Sequence, residues 1–280
     1  MAGRREGVNV NFDNMFDVTG KVALVTGGGG GIGRGIAGAF VAGGARVYIA
    51  SRSDLASSAI ELAEYGPGEC TALRADLAKD DDIARLADEL REREGRLDIL
   101  VNNAALGGLI HKFEEFPMAD YDTMVAVNLR APFALTQACL PLLTIAGTAD
   151  AHASVINIVS VDGMRIAGDN DWAYGLSKAG LIHLTRQLAG REGAKHGRDG
   201  GRHITYNAIA PGPFPGMLDR YLETEDGRAA VGAVTVSGRV GRPEDIGAAC
   251  IYLASRAGSY VTGAVLPVDG GLLVGTKANS

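Results

Sequence analysis

The chain has 280 residues, 46% of them hydrophobic and 21% charged, with a net charge of −6, which reads as one globular domain large enough to bury a substantial core. That balance gives no basic footprint for nucleic acid, and no run approaches the roughly 18 consecutive apolar residues of a membrane span. The 40 glycines cluster at turns rather than in a repeat, which excludes collagen-like and low-complexity chains.

In chain order, residues 1 to about 15 carry positive charge but no following apolar stretch of about 7 to 15 residues, so they are no secretory signal. They read as a mobile extension ahead of a single domain over residues 16–280. Strand-like runs follow at residues 21–26, 46–50, 70–75, 98–102, 155–160, 204–210 and Val265–Val268. Helical patterns alternate with them at residues 33–42, 55–65, Asp80–Glu94, 119–143, 174–194 and Pro243–Ala254. Seven strands joined by helical crossovers imply a parallel, doubly wound, Rossmann-like α/β sheet with helices on both faces. Two connections run long, residues 146–153 and the glycine- and charge-rich 196–202, and both read as surface loops. Residues 214–236, beyond the end of the sixth strand, mix apolar and acidic side chains and read as a mobile lid where ligands sit in open α/β sheets.

Three cysteines, Cys70, Cys139 and Cys250, are far apart in apolar segments, which suits reduced thiols in a cytoplasmic protein. The five histidines form no ligand-spaced set, so no metal is expected. The apolar character of residues 119–143 and 174–194 exceeds what one sheet needs, which points to a helix-mediated contact between subunits.

The first strand runs into Thr26-Gly27-Gly28-Gly29-Gly30-Gly31-Ile32-Gly33 and then a helix. In that order, backbone N–H groups and a helix N-terminus receive a pyrophosphate. Glycine permits the unusual dihedrals and the close approach of phosphate to backbone. The second strand ends in Ser51-Arg52 with no acid at 51. The planar fork of Arg52 suits a 2′-phosphate, favouring NADP(H) over NAD(H). Tyr174 and Lys178, four apart, lie on one helix face. A positive neighbour favours phenolate, so Tyr174 is expected to exchange a proton with a substrate oxygen near neutral pH, while the Ser160 hydroxyl holds that oxygen.

Thr26-Gly27-x-x-x-Gly31-Ile32-Gly33, Asn102-Asn103-Ala104, Asn128, Ser160, Tyr174, Lys178 and Pro211-Gly212 together resemble the short-chain dehydrogenase/reductase family over nearly the whole chain. The resemblance implies hydride transfer between a nicotinamide and a ketone or secondary alcohol. Tyr174 would be the general acid, Ser160 would orient the carbonyl, Lys178 would hold the nicotinamide ribose, and Asn128 would fix a water behind Lys178. It places Gly27, Gly29, Gly30, Gly31, Ile32, Gly33, Pro211, Gly212 and Phe214 against the cofactor, with Asp76 and Leu77 flanking adenine and Asn103 and Ala104 near a ribose. The threonine that commonly holds the nicotinamide amide has no counterpart in residues 213–217, and Ala105 stands where glycine is usual. Residues 74–77, 155–158, 210–215 and 238–243 look most like the bacterial 3-oxoacyl reductase branch of the rhamnolipid-associated type. A 3-oxoacyl thioester is therefore the expected substrate, with a sugar acid such as 5-ketogluconate or a small ketone as the alternative and a non-catalytic nicotinamide-binding regulator as a remote one. Residues 140–154 carry no Lys or Arg, which gives an acidic carrier protein little to meet. A homotetramer or homodimer is implied by the same resemblance.

Overall fold

The computed structural model describes residues 11–148, 151–166, 171–216 and 218–275. Seven parallel strands form one sheet: β1 Val22–Thr26, β2 Arg46–Ser51, β3 Glu69–Arg74, β4 Ile99–Asn102, β5 Ala153–Ile158, β6 Ile204–Pro211 and β7 Val265–Val268. Their spatial order is β3-β2-β1-β4-β5-β6-β7, so the chain reverses direction across the sheet between β1 and β4. Register there pairs Ala23 with Ile99 and Val25 with Val101. This switch point opens a crevice at the carboxyl ends of the strands.

The helices are α1 Gly31–Ala42, α2 Ala56–Ala63, α3 Asp80–Glu94, α4 Met118–Val125, α5 Ala131–Ala146, α6 Trp172–Leu188, α7 Ala194–Gly200, α8 Asp219–Leu222, α9 Glu225–Gly232 and α10 Pro243–Ala254. Successive strand residues face opposite sides, and β1 shows it: Val22 and Leu24 join the core under α3 and α5, whereas Ala23 and Val25 join that under α1 and α10. Both cores are sealed from water, and such burial stabilises by about 1.5–3 kcal/mol per large aliphatic side chain.

The ends of α3 and α10 fall where the sequence puts them. α3 opens on Asp80, Asp81 and Asp82, closes with Arg91 and Arg93, and ends on Gly95 at φ 66°, satisfying the dipole and the left-handed cap. In α10, the Asp245 side chain accepts from the Arg242 backbone N–H at 2.8 Å. Two expectations are corrected. The long helix expected at residues 119–143 is α4 and α5 joined by a π turn over Ala126–Arg130. The resulting 29-residue helical run is long and apolar enough by composition to cross a membrane, yet α5 packs Leu135, Cys139 and Leu142 into the core. Residues 196–202, expected as a loop, are helical through Gly200, and Gly201 at φ 59° ends the turn. Of the expected extension, residues 1–10 lie outside the described part. The remainder is tied down: Arg256 donates to the carbonyls of Asn11 and Asp13 at 3.0 and 2.6 Å, and Ala257 N–H donates to the Met15 carbonyl at 2.9 Å. Of the connection at 146–153, residues 149 and 150 lie outside the described part.

At the opposite, amino edge of the sheet His152 is 3% exposed, with Nε2 3.1 Å from the Leu253 carbonyl. Burial pulls its pKa from 6.5 down to about 4. The unfolded chain therefore takes up this proton first, so stability present above pH 6.5 is lost as the pH falls towards about 4. His152→Gln is expected to flatten that part of the profile by up to about 3 kcal/mol in urea melts at pH 7 and pH 4.5; an unchanged slope would exclude His152 as its source.

Candidate active site

The glycine-rich turn leaves β1 and enters α1 at the switch point, with Gly27 and Gly31 at φ 67° and 49°, a region glycine enters freely. Gly33 permits a close approach, because a Cβ there would lie 2.2 Å from the Gly27 carbonyl oxygen. A Cβ on Gly30 would meet nothing within 4 Å, so packing of the protein does not demand glycine there. Asn103 closes the other side: its Nδ2 donates to the Thr26 carbonyl at 2.8 Å and its backbone N–H to Thr26 Oγ1 at 3.0 Å. Ala104 N–H donates to the same hydroxyl at 3.0 Å.

A cleft of about 790 Å³ opens here. Gly27, Gly30, Gly31, Ile32, Gly33, Asn103, Ala104, Ser160, Tyr174, Lys178, Pro211, Gly212 and Phe214, all expected from the sequence, line it together. Leu218, Tyr221, Val231, Val234 and Leu272 line it too; all but Leu272 come from α8, α9 and the residues flanking them, within the segment expected as a lid. Gly29 does not line the cleft, because a Cβ there would run into Leu55 at 2.3 Å; its place is set by packing.

Ser160 follows β5 and caps a 3₁₀ turn over Val161–Gly163, its Oγ accepting from Asp162 N–H at 3.1 Å. Tyr174 and Lys178 stand in the first half of α6, whose N-cap is Asp171, which accepts from Tyr174 N–H at 3.3 Å. Lys178 is 2% exposed, and its Nζ donates to the Ile158 carbonyl at 2.8 Å. The ammonium also lies 5.5 Å from the Tyr174 ring centroid.

The electrostatics correct one expectation. Burial pushes the Tyr174 phenol well above its ordinary value, and Asp162 and Asp171 push the same way, against a hydrogen bond with Ser160 that lowers it. Burial also pulls Lys178 down to about 7. Desolvation disfavours the charged form of both groups, so within the chain itself Tyr174 is held protonated rather than acidified by its neighbour.

Asn128 sits fully buried in the π turn. Such turns are frequent at functional sites. Its Oδ1 accepts from Leu106 N–H at 2.8 Å, while Nδ2 donates to the Leu106 carbonyl at 2.9 Å and to Ser177 Oγ at 3.1 Å. Ser177 in turn donates to the Tyr174 carbonyl at 2.7 Å. The side chain is thus committed to the loop after β4 and to α6.

The residues expected around the adenosine separate from this cleft. Arg52 and Asp76 line a second cavity of about 450 Å³ with Arg74, Lys79, Asp82 and Arg85. It lies past the ends of β2 and β3. Arg74 Nε donates to the Arg52 carbonyl at 3.1 Å, and Arg85 to the Arg74 carbonyl at 3.0 Å. Ser51 Oγ turns onto Ser53, accepting from its N–H at 3.0 Å, and Leu77 is 7% exposed in the core; neither lines either of these two cavities. The sequence reading missed Arg74, Asp162 and Arg165. Arg74 had one available signal, since a residue ending β3 must stand beside the end of β2.

A family profile described as enoyl-(acyl carrier protein) reductase matches residues 27–273. The chain belongs to the short-chain dehydrogenase/reductase family. It is an oxidoreductase of that family. The rhamnolipids biosynthesis 3-oxoacyl-[acyl-carrier-protein] reductase of Pseudomonas aeruginosa is 41% identical over 261 residues, covering 91% of this chain and 97% of the relative. The solved Pseudomonas aeruginosa RhlG/NADP active-site complex matches with a TM-score of 0.86 at 40% identity, over 93% of this chain and 99% of the other. A gluconate 5-dehydrogenase from Beutenbergia cavernae, putative in its own description and solved with NADP bound, matches with a TM-score of 0.81 at 34% identity, over 93% and 100%.

Proposed function

We propose that this protein is an NADP(H)-dependent reductase of 3-oxoacyl thioesters or related β-keto compounds. The observation that carries the reading is the convergence of Ser160, Tyr174 and Lys178 on the cleft that the glycine turn opens. The cofactor fits the residues present. Gly30 leaves open space for the pyrophosphate at the start of α1, and Arg52 with Arg74 offers two guanidinium groups for a 2′-phosphate. A nicotinamide held there would supply the hydride for the substrate carbonyl carbon.

The chain's own residues supply the rest. Ser160 Oγ donates to the carbonyl oxygen and stabilises the charge developing on it, an effect of the order of 2.7–4 kcal/mol for an oxyanion donor. Tyr174, held protonated by its surroundings, gives its phenolic proton to that oxygen as the general acid. Lys178, fixed on Ile158 and 5.5 Å from the Tyr174 ring centroid, would hold the nicotinamide ribose. Asn128 positions α6 through Ser177. No metal enters the scheme; among the described residues no three His, Cys, Asp or Glu side chains form a metal-ligating group.

The wall of Leu218, Val231, Val234 and Leu272 favours an acyl chain over a polyol, because apolar burial rewards methylenes and leaves hydroxyls without partners. The second reading, a sugar-acid dehydrogenase, draws on the 34% identity to the Beutenbergia protein; a small ketone belongs with it. Residues 140–154, which lack Lys and Arg, run from the end of α5 to the amino end of β5, away from the cleft, so they do not separate a coenzyme A ester from a carrier-protein ester. The free thiols Cys70, Cys139 and Cys250 suit the cytoplasm, which cell fractionation tests. Nucleic acid and membrane have no role in this reading.

Phe133, Ile145, Trp172 and Leu176 are 50%, 54%, 44% and 61% exposed on α5 and α6. They suit burial against a second copy in a homodimer or homotetramer, and light scattering is expected to give a mass of two or four chains; a monomer at micromolar concentration overturns this. Tyr174→Phe is expected to lower kcat for 3-oxoacyl-CoA about 100- to 10,000-fold with NADPH binding by fluorescence retained; near-normal turnover would remove Tyr174 as proton donor. Arg52→Ala is expected to raise the KM for NADPH about tenfold or more, with the KM for NADH changed little, by loss of one charge-assisted contact. Equal changes for both cofactors would place the 2′-phosphate elsewhere.

A further inference from the structure

The reductase reading leaves one feature of the cleft unused. Among the described residues its lining holds three charged side chains, Lys178, Asp162 and Arg165. Lys178 is sealed and bonded to Ile158. Arg165 differs, with a side chain 41% exposed that contributes to the cleft wall. Its backbone N–H donates to the Val161 carbonyl at 3.0 Å, so it closes the short turn that Ser160 caps. The chain itself therefore keeps the Arg165 backbone within about one turn of the hydroxyl that serves the carbonyl.

Arg165 meets Asp162 through a single contact, Nη2 to Oδ1 at 3.2 Å. A guanidinium carries five N–H donors in a rigid fork. One ion-pair contact leaves that fork available, and no side-chain hydrogen bond from Arg165 is formed among the described residues. A solvated pair three residues apart is worth only about 0–1 kcal/mol, and stability alone gives no reason to aim it into a cleft walled by Leu218, Val231, Val234 and Leu272.

We infer that Arg165 is an anion subsite of this cleft: it receives an oxyanion of the substrate, carboxylate or phosphate, close to the reacting carbonyl. Asp162 is its positioning residue, drawing the guanidinium towards it through the ion pair at 3.2 Å. The fork geometry matches both anions, which accept two parallel N–H bonds. The inference rests on the carbonyl-reduction reading and narrows it to a keto substrate that is apolar along one side and anionic at one end. A free 3-oxo acid is then a substrate in its own right, and a coenzyme A ester is one if its phosphates reach back to Arg165.

Four substrates separate these cases with NADPH: acetoacetate, acetoacetyl-CoA, and the neutral ethyl ester and N-acetylcysteamine thioester of acetoacetate. Arg165→Met is expected to lower kcat/KM for at least one anionic substrate about 10- to 100-fold, the scale of a charge-assisted hydrogen-bonded pair. The loss should appear in KM, Arg165→Lys should recover part of it, and the neutral substrates should stay within about threefold. A loss with acetoacetate identifies a carboxylate, and one with acetoacetyl-CoA alone identifies a carrier phosphate. Equal loss with charged and neutral substrates, or no loss at all, overturns the subsite. If none of the four is reduced even by the wild type, it is the substrate assignment that fails. Calorimetric binding of acetoacetate and acetoacetyl-CoA to the NADPH-loaded wild type and Arg165→Met then decides the subsite alone, with equal affinities overturning it.

Discussion

The site depends on one buried contact, the hydrogen bond from the Lys178 ammonium to the Ile158 carbonyl at 2.8 Å. A charge taken this far from water is tolerated only when it is bonded, and Ile158 is the last residue of β5, two before Ser160. The bond therefore fastens α6 to the strand end that carries the serine. One helical turn earlier on the same face stands Tyr174, so a single interaction sets how a hydroxyl, a phenol and an ammonium stand to one another. The cost of burial is visible in both titrating partners, whose pKa values move towards their neutral forms.

The same burial decides which form the phenol takes in the folded chain. A phenol held protonated can give its proton to an alkoxide as it forms. Asp162 and Asp171 each raise the phenol's pKa, and Asp171 also caps the helix that carries the tyrosine.

Much of this was legible from the sequence where the signal is local. Asp80–Glu94 and Pro243–Ala254 matched at both ends because acids, prolines and glycines at helix ends act through the adjacent backbone. The glycine turn, Ser160, Tyr174 and Lys178 were legible because their types and spacings carry the chemistry. The π turn at Ala126–Arg130 was not, since it arises where Asn128 reaches across to Leu106, a partner that lies 22 residues away. Residues 196–202 misled through their glycines, which form the last turn of α7 and its cap at Gly201 rather than a loop. Arg165 and Arg74 escaped notice because an arginine has no signature until the fold brings a cleft to it. The sign of the Tyr174 shift escaped for a related reason: helical spacing reveals a neighbour, but not how completely the sheet and loops exclude water.

Thr26 Oγ1 accepts from the N–H groups of both Asn103 and Ala104 at 3.0 Å and lies 3.3 Å from the Val101 carbonyl, to which it donates. One hydroxyl thereby spans the gap between the first and fourth strands with its donor and acceptor capacity fully used. The width of the crevice at that point is gauged by hydrogen-bond lengths, which yield far less than packed methyl groups would. Whatever cofactor lies across the turn would meet a mouth of fixed aperture.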